Sequence, residues 1–132
     1  MAAVEGGCLC EAVRYKVTGA PSWSGICHCR ACRKASGAPS VAWLTFERGN
    51  FMLLQGDPGR FVSSNAVVRT FCTACGTPLT YTTGDRAGEI DVTTMSLDDE
   101  TMFAPTVEIW IAHKVSWEAA DPGRPRCAGA AE

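Results

Sequence analysis

Most cysteines of this chain occur in short groups whose spacing is typical of metal ligands. The eight cysteines are arranged as Cys8-x-Cys10, Cys27-x-Cys29-x2-Cys32 and Cys72-x2-Cys75, with Cys127 alone near the end. A C-x2-C pair allows a tight turn to direct two thiolates at one ion. Gly76 follows Cys75 and can take the positive φ with which such a turn folds back. Metal binding is therefore the first chemistry that the sequence predicts.

The first and last of these groups together contain the four thiols that a structural zinc site requires. Cys72 and Cys75 supply half of a tetrahedral site. Cys8 and Cys10 could supply the other half from a strand end, because residues two apart in a strand face the same side. We call these residues the four-cysteine group and predict that they bind a structural zinc ion. Its removal should unfold or loosen the protein.

The middle group, Cys27, Cys29 and Cys32, predicts a second and open zinc site. We call it the three-cysteine group. Three thiolates can hold one face of a zinc ion and leave its fourth position free, as in catalytic zinc sites. A thiol substrate suits that position, because coordination deprotonates it and so supplies the nucleophile at neutral pH. The sequence thus predicts two zinc ions per chain and a small thiol as substrate.

Cations flank the three-cysteine group. Zinc with three thiolates carries a net charge of about −1, which Arg30, Arg33 and Lys34 could offset. Arg33 and Lys34 are also candidates for holding an anionic thiol such as glutathione, which has two carboxylates. The alternative is that these side chains form an ordinary solvated loop face.

Other uses of the cysteines, and other ligands, are also open. Disulfides, an iron–sulfur cluster and a thioredoxin-like redox pair are alternatives, but there is no secretion signal and no βαβ pattern. An extended backbone would direct His28 away from its cysteine neighbours. We interpret His113 as a strand-end surface residue and Cys127 as part of the tail. Trp23 could line a pocket beside Cys27.

Composition and charge exclude several broad classes. The 132 residues suit one domain, and the hydrophobic fraction of 46% predicts a folded chain. A formal net charge of −2 gives no general attraction to nucleic acid or anionic membranes. The amino terminus has no signal-like pattern and no apolar run could span a bilayer, so we expect a cytoplasmic protein. The oligomeric state is not evident.

The pattern of apolar residues predicts an all-β domain with at most one short helix. Strands are predicted at residues 12–17, 41–46, 51–55, 66–71, 79–82, 89–93 and 107–112, and a loop is predicted around the three-cysteine group. The best helix candidate is Ser96 to Met102, because Ser96 and Asp99 resemble a capping box. Residues 1–120 then form the zinc domain. Residues 121–132, rich in proline and glycine, are predicted to be a mobile tail.

Three blocks of the sequence resemble the glutathione-dependent formaldehyde-activating family, also called the centromere-protein-V-like family. They are GGCLCEAVRY (6–15), CHCRACRKASGAP (27–39) and RTFCTACGTPL (69–79), and the resemblance extends over about residues 4–118. It implies a fold similar to the Mss4-like β-tent. It also implies a structural zinc at the four-cysteine group and a catalytic zinc at the three-cysteine group. Glu11 and Glu108 depart from the family, which commonly has Gly and His there.

The resemblance implies a carbon–sulfur lyase similar to S-(hydroxymethyl)glutathione synthase, which joins glutathione or a similar thiol to formaldehyde or another small aldehyde. The thiolate would attack the aldehyde carbon while zinc or a nearby cation stabilises the alkoxide. No general acid is evident in the sequence. The alternative is a non-catalytic, zinc-stabilised module that binds glutathione or a protein partner.

Overall fold

The protein is almost entirely β-structure, with one short helix. The computed structural model describes residues 2–63 and 66–131. In these ranges the elements are β1 (Ala3–Gly7), β2 (Arg14–Thr18), β3 (Trp23–Cys27), α1 (Arg30–Ser36), β4 (Val41–Glu47), β5 (Phe51–Gln55), β6 (Gly59–Val62), β7 (Val68–Phe71), β8 (Pro78–Thr82), β9 (Glu89–Thr93) and β10 (Glu108–Ile109). The predicted all-β class with at most one short helix is confirmed.

Two sheets enclose the hydrophobic core. One has the strand order β1-β2-β5 and the other the order β10-β3-β4-β9-β8-β7-β6. Every pairing is antiparallel except that of β10 with β3. Tyr15 and Val17 of the small sheet pack with Leu44, Phe46 and Val92 of the large sheet, and all five are buried. The alternate residues of β4 and β9 therefore lie on the opposite, open face of the large sheet.

Most of the predicted strands are present, and three strands are additional. The predictions at residues 41–46, 51–55, 79–82 and 89–93 match β4, β5, β8 and β9 closely, while β2 and β7 overlap their predictions. Strands β1, β3 and β6 were not predicted, because glycines and loop-forming residues interrupt their sequences. The strand predicted at 107–112 is reduced to β10, since Trp110 takes a left-handed conformation with φ of 56° and a 3₁₀ turn follows.

The helix is not where the sequence predicted it. The prediction at Ser96 to Met102 is wrong: the Ser96 hydroxyl bonds to the Thr93 carbonyl and to the Tyr15 hydroxyl, so it caps no helix. The helix α1 instead lies in the predicted loop, with Cys29 as its N-cap and Gly37, at φ of 68°, as its C-cap. In the described ranges, no helix is long and apolar enough to cross a membrane.

The chain after residue 120 runs beside β10. Arg126 forms a parallel bridge with Glu108. Backbone hydrogen bonds connect Trp110 to Gly129, Ile111 to Cys127, and Cys127 to Glu108. The predicted mobility of residues 121–132 stays a prediction, but the described part of this segment is hydrogen-bonded to the strand that borders the three-cysteine group.

Candidate metal centres and cleft

The sulfurs of the four-cysteine group lie close enough together to hold one ion. All four Sγ atoms are within 4.8 Å of one another. The Cys8–Cys10 and Cys10–Cys72 sulfur pairs are each separated by 3.7 Å. A tetrahedral zinc ion with Zn–S bonds of about 2.3 Å places its ligand sulfurs about 3.8 Å apart. The donor set and its spacing therefore fit a structural zinc ion.

Two turns from distant parts of the chain form this group. Cys8 and Cys10 lie in the turn between β1 and β2, where Glu11 takes a left-handed φ of 68°. A side chain is strained in this conformation, which favours glycine. Cys72 and Cys75 lie in the turn between β7 and β8, where Gly76 has φ of 81° and its N–H donates to the Cys72 carbonyl.

Hydrogen bonds to sulfur orient the side chains of this group. Val13 N–H donates to Cys8 Sγ at 3.2 Å, and Cys75 N–H donates to Cys72 Sγ at 3.4 Å. The Thr77 hydroxyl lies 3.2 Å from Cys75 Sγ and accepts the Leu9 N–H at 3.1 Å, so it connects the two turns. The hydrogen bond with Thr77 lowers the pKa of Cys75 to about 5. Thr77 was not predicted as part of the site, although its position directly after C-x2-C-G was an available signal.

The three-cysteine group is built from the end of β3 and the start of α1. Its sulfurs also lie within 4.8 Å of one another, and His28 is not among the grouped side chains. Cys27 ends β3, Cys29 caps α1, and Cys32 is the buried residue of the helix. Cys29 Sγ accepts the Cys32 N–H at 3.2 Å. Hydrogen bonds from the Cys27 and Cys32 thiols hold the pKa of Cys29 below its ordinary value.

This group opens into a cleft of about 910 Å³ on the open face of the large sheet. The cleft floor is a row of paired residues that crosses five strands. The pairs are Trp23↔Thr45, Thr45↔Asp91, Asp91↔Tyr81 and Tyr81↔Arg69. Directly paired residues share a face of the sheet, and all five residues line the cleft. We call them the cross-strand row. Strand pairing thus places groups from residues 23 to 91 next to the three-cysteine group.

Aromatic side chains form much of the cleft wall. Trp23, Trp43 and Trp110 line it, and the predicted position of Trp23 beside Cys27 is confirmed. The Trp23 ring lies across Gly25, where an added Cβ would come within 2.5 Å of it. Trp43 packs against Tyr81 with the ring centroids 6.0 Å apart. The cleft is therefore largely apolar beside the thiols.

One arginine of the cleft lies directly against the three-cysteine group. The Arg69 guanidinium is 3.9 Å from Cys32 Sγ and 4.8 Å above the Tyr81 ring. Arg86, in contrast, is paired with Asp91 at 2.6 Å and with Glu89 at 2.9 Å. Of these two arginines, Arg69 is therefore the one whose positive charge can serve the thiolates and an anionic ligand. It was not predicted, because it is 37 residues from Cys32 in sequence.

The cations predicted from the flanking sequence lie elsewhere. Arg33 donates hydrogen bonds to the carbonyls of His28 and His113, at 3.1 and 2.9 Å. Neither Arg33 nor Lys34 lines the cleft, whereas Arg30 does. His113 is exposed at the cleft, as predicted, and its ring packs on Trp110 at 5.0 Å.

A buried ionic network holds His28, the residue between Cys27 and Cys29. His28 Nε2 donates to Glu108 Oε1 at 2.6 Å, and each side chain is only 2% exposed. The second oxygen of Glu108 accepts hydrogen bonds from Arg124 at 2.8 Å and from the Asp121 N–H at 3.1 Å. Burial opposes ionisation of Glu108, but the hydrogen bonds from His28, Asp121 and Arg124 outweigh it and keep its pKa below the usual range. This network joins the Cys27–Cys29 segment to the residues after 120.

We expect Glu108→Gln to lower the free energy of unfolding by about 2–3 kcal/mol, because it removes the buried charge that accepts hydrogen bonds from His28 and Arg124. Arg124 then keeps only its 3.6 Å contact with the exposed carboxylate of Asp121. Chemical denaturation of the metal-loaded protein measures this change. Glu100→Gln removes an exposed carboxylate and is the matched control, with no expected change. Equal stability of Glu108→Gln and the native chain would contradict the proposed role of the network.

The fold and site define a class: a small all-β protein with two groups of thiols that could hold metal ions, one of them opening into a cleft. The model of the glutathione-dependent formaldehyde-activating enzyme family matches residues 3–113. The chain belongs to this family.

Individual proteins are also similar to the chain. A Schizosaccharomyces pombe protein named an uncharacterized lyase is 33% identical over 82 residues, which are 61% of this chain and 59% of that protein. The chain thus matches less than two thirds of this relative's length. A crystal structure of a Rhodobacter sphaeroides protein superposes with a TM-score of 0.63 at 18% identity, over 76% of this chain and 97% of that one. At this identity the superposition shows a shared fold.

Proposed function

We propose that the protein is a zinc-dependent carbon–sulfur lyase that joins glutathione, or a similar thiol, to formaldehyde or another small aldehyde, and that it also catalyses the reverse reaction. The observation that carries this proposal is the three-cysteine group facing the large apolar cleft. Family membership and the lyase name of the yeast relative support it. The four-cysteine group would supply all four ligands of a second zinc ion, which would stabilise the fold.

The three-cysteine group is the proposed site of the reacting thiol. A zinc ion bound there would supply a substrate thiolate at neutral pH. The side chains of the cleft then position the reactants: Trp23, Trp43 and Trp110 give the aldehyde an apolar wall, and the cleft volume of about 910 Å³ admits a tripeptide. A thiol adds to formaldehyde readily, so proximity and a deprotonated sulfur supply most of the required acceleration.

Arg69 is the proposed anchor for an anionic thiol. Its guanidinium lies 3.9 Å from Cys32 Sγ, where it offsets the negative charge of the thiolates. Its planar donors also suit a substrate carboxylate. Arg30, at the start of α1, adds a second cation at the cleft. Arg33 and Lys34 would contribute to the general positive field of α1 without lining the cleft.

The grouping of the cysteines supports an intracellular role. Seven of the eight lie in the two groups that could hold metal ions, a use that requires reduced thiols. Free thiols at this density persist in the reducing cytosol and would be oxidised in secreted proteins. We therefore propose the cytoplasm as the working compartment.

The test of this function is the exchange between glutathione and its formaldehyde adduct, followed by exchange NMR at equilibrium. The zinc-loaded protein is expected to accelerate exchange over buffer, and metal analysis is expected to give two zinc ions per chain. Thiols that lack carboxylates should be slower substrates than glutathione. Binding of glutathione without any acceleration would reject the lyase and favour a zinc-stabilised binding module instead.

A further inference from the structure

The proposed reaction needs a proton donor that the sequence did not reveal. When a thiolate adds to an aldehyde, negative charge develops on the carbonyl oxygen and must be stabilised or neutralised. A donor for this oxygen has to lie in the cleft, near the three-cysteine group, with a hydrogen that no other protein group uses. Tyr81 meets all of these conditions.

Tyr81 belongs to the cross-strand row and lies close to the thiols. It packs against the buried cluster of Cys27, Cys32 and Trp43 and lines the cleft. The Arg69 guanidinium covers its ring at 4.8 Å, and the Trp43 ring lies 6.0 Å away at an angle of 58°. These contacts fix the orientation of the ring beside the sulfurs.

The Tyr81 hydroxyl makes no hydrogen bond within residues 2–63 and 66–131. The Tyr81 hydroxyl is also not one of the buried polar atoms that lack a partner, so it is open to the water of the cleft that the residue lines. The other tyrosine of the chain differs: the buried Tyr15 hydroxyl is 2.6 Å from Ser96 Oγ. The Tyr81 hydroxyl is therefore available to a ligand that displaces this water.

The competing polar groups of the cleft are already engaged or badly placed. Thr45 donates its hydroxyl hydrogen to Asp91 at 2.7 Å, and Asp91 is further paired with Arg86. His113 is exposed and packs on Trp110. Thr83 also lines the cleft but lies outside the cluster around the thiols.

We propose that Tyr81 is a catalytic residue that donates a hydrogen bond, and then its proton, to the aldehyde oxygen as the carbon–sulfur bond forms. This inference rests on the proposed function. The sulfur lone pair forms the C–S bond, the carbonyl π pair moves to oxygen, and oxygen takes the phenol proton. Water entering the open cleft returns a proton to the phenolate. In the reverse reaction the phenolate removes the hydroxyl proton while the C–S bond breaks.

The experiment compares Tyr81→Phe with Tyr15→Phe in the zinc-loaded protein. We expect Tyr81→Phe to lower the maximal rate of glutathione–formaldehyde exchange about 100-fold. Its glutathione KM, zinc content and melting temperature should not change, because no protein hydrogen bond is lost. Tyr15→Phe removes the same hydroxyl group from the core, where it is hydrogen-bonded to Ser96. It should therefore lower the melting temperature and leave the exchange rate unchanged.

A second measurement separates catalysis from packing. The chain has two tyrosines, so fluorotyrosine incorporated into Tyr15→Phe labels Tyr81 alone. Fluorination lowers the pKa of the phenol, so it should shift the alkaline limb of the pH–rate profile to lower pH. A purely structural role of Tyr81 would not produce this shift. A native rate in Tyr81→Phe would overturn this inference and leave the proposed lyase intact. Absence of acceleration by the native protein would overturn both.

Discussion

Replacing Cys72 with serine is expected to remove one metal ion and most of the net stability of the fold. Cys72 is 2% exposed and belongs to the main hydrophobic cluster, so its sulfur is held on the core side of the four-cysteine group. Two backbone N–H groups, those of Ala74 and Cys75, donate to it. A serine oxygen is a poor substitute for a thiolate ligand of zinc. The group would then lose its ion.

The size of the effect follows from the separation of the two turns in sequence. Cys10 and Cys72 are 62 residues apart along the chain, and their sulfurs are 3.7 Å apart. A bound ion therefore closes a long loop and suppresses the entropy of the unfolded chain. Structural zinc contributes about 10–16 kcal/mol in zinc-finger peptides, and a whole domain has only about 5–15 kcal/mol of net stability.

Thermal unfolding and metal analysis measure this prediction together. Cys72→Ser should retain at most one zinc ion per chain and unfold at a much lower temperature, or fail to fold at all. Cys127→Ser is the matched control, because Cys127 lies outside both thiol groups. It should retain both ions and the native melting temperature. A folded Cys72→Ser protein with two ions would remove Cys72 from the ligand set.

The grouping of the cysteines was predictable from sequence because ligand spacing is a local property. Both proposed sets came from C-x-C and C-x2-C spacings, and the structure brings the same residues together. The strands with clear alternation were predictable for the same reason, since the period of two is read within a few residues. Local patterns of this kind do not depend on which strands become neighbours.

The cleft was not predictable, because it is a product of strand pairing. Arg69, Tyr81 and Asp91 become neighbours only through the registers of β7, β8 and β9. No spacing in the sequence indicates that Arg69, rather than Arg33, lies beside the thiols. The His28–Glu108 pair, 80 residues apart, was missed for the same reason. The short helix α1 was missed because seven residues give too little periodicity to distinguish it from a loop.

Replacing Cys29 with serine is expected to abolish catalysis and remove one zinc ion while the fold is retained. Cys29 is the N-cap of α1, and its side chain accepts the Cys32 N–H. Serine is a favourable N-cap residue, so the helix keeps this hydrogen bond. The variant therefore removes a soft metal ligand and leaves the local structure largely unchanged.

The small expected effect of Cys29→Ser on stability follows from the short loop that the three-cysteine group closes. Cys27 and Cys32 are five residues apart, so by the same loop-entropy relation this group constrains the unfolded chain by roughly 2 kcal/mol less than the four-cysteine group. The exchange rate should fall at least about 100-fold, to the rate in buffer.

Exchange NMR, metal analysis and thermal unfolding of Cys29→Ser, with Cys127→Ser as control, separate the two thiol groups by function. One remaining ion, a melting temperature within a few degrees of the native value and no catalysis would assign the chemistry to the three-cysteine group. The opposite pattern would be a largely unfolded variant whose exchange rate is proportional to the fraction of folded molecules. This result would contradict the division of roles. Cys72→Ser is expected to lose the fold, whereas Cys29→Ser is expected to lose the catalysed exchange rate. The two variants together therefore distinguish a structural ion from a reactive one.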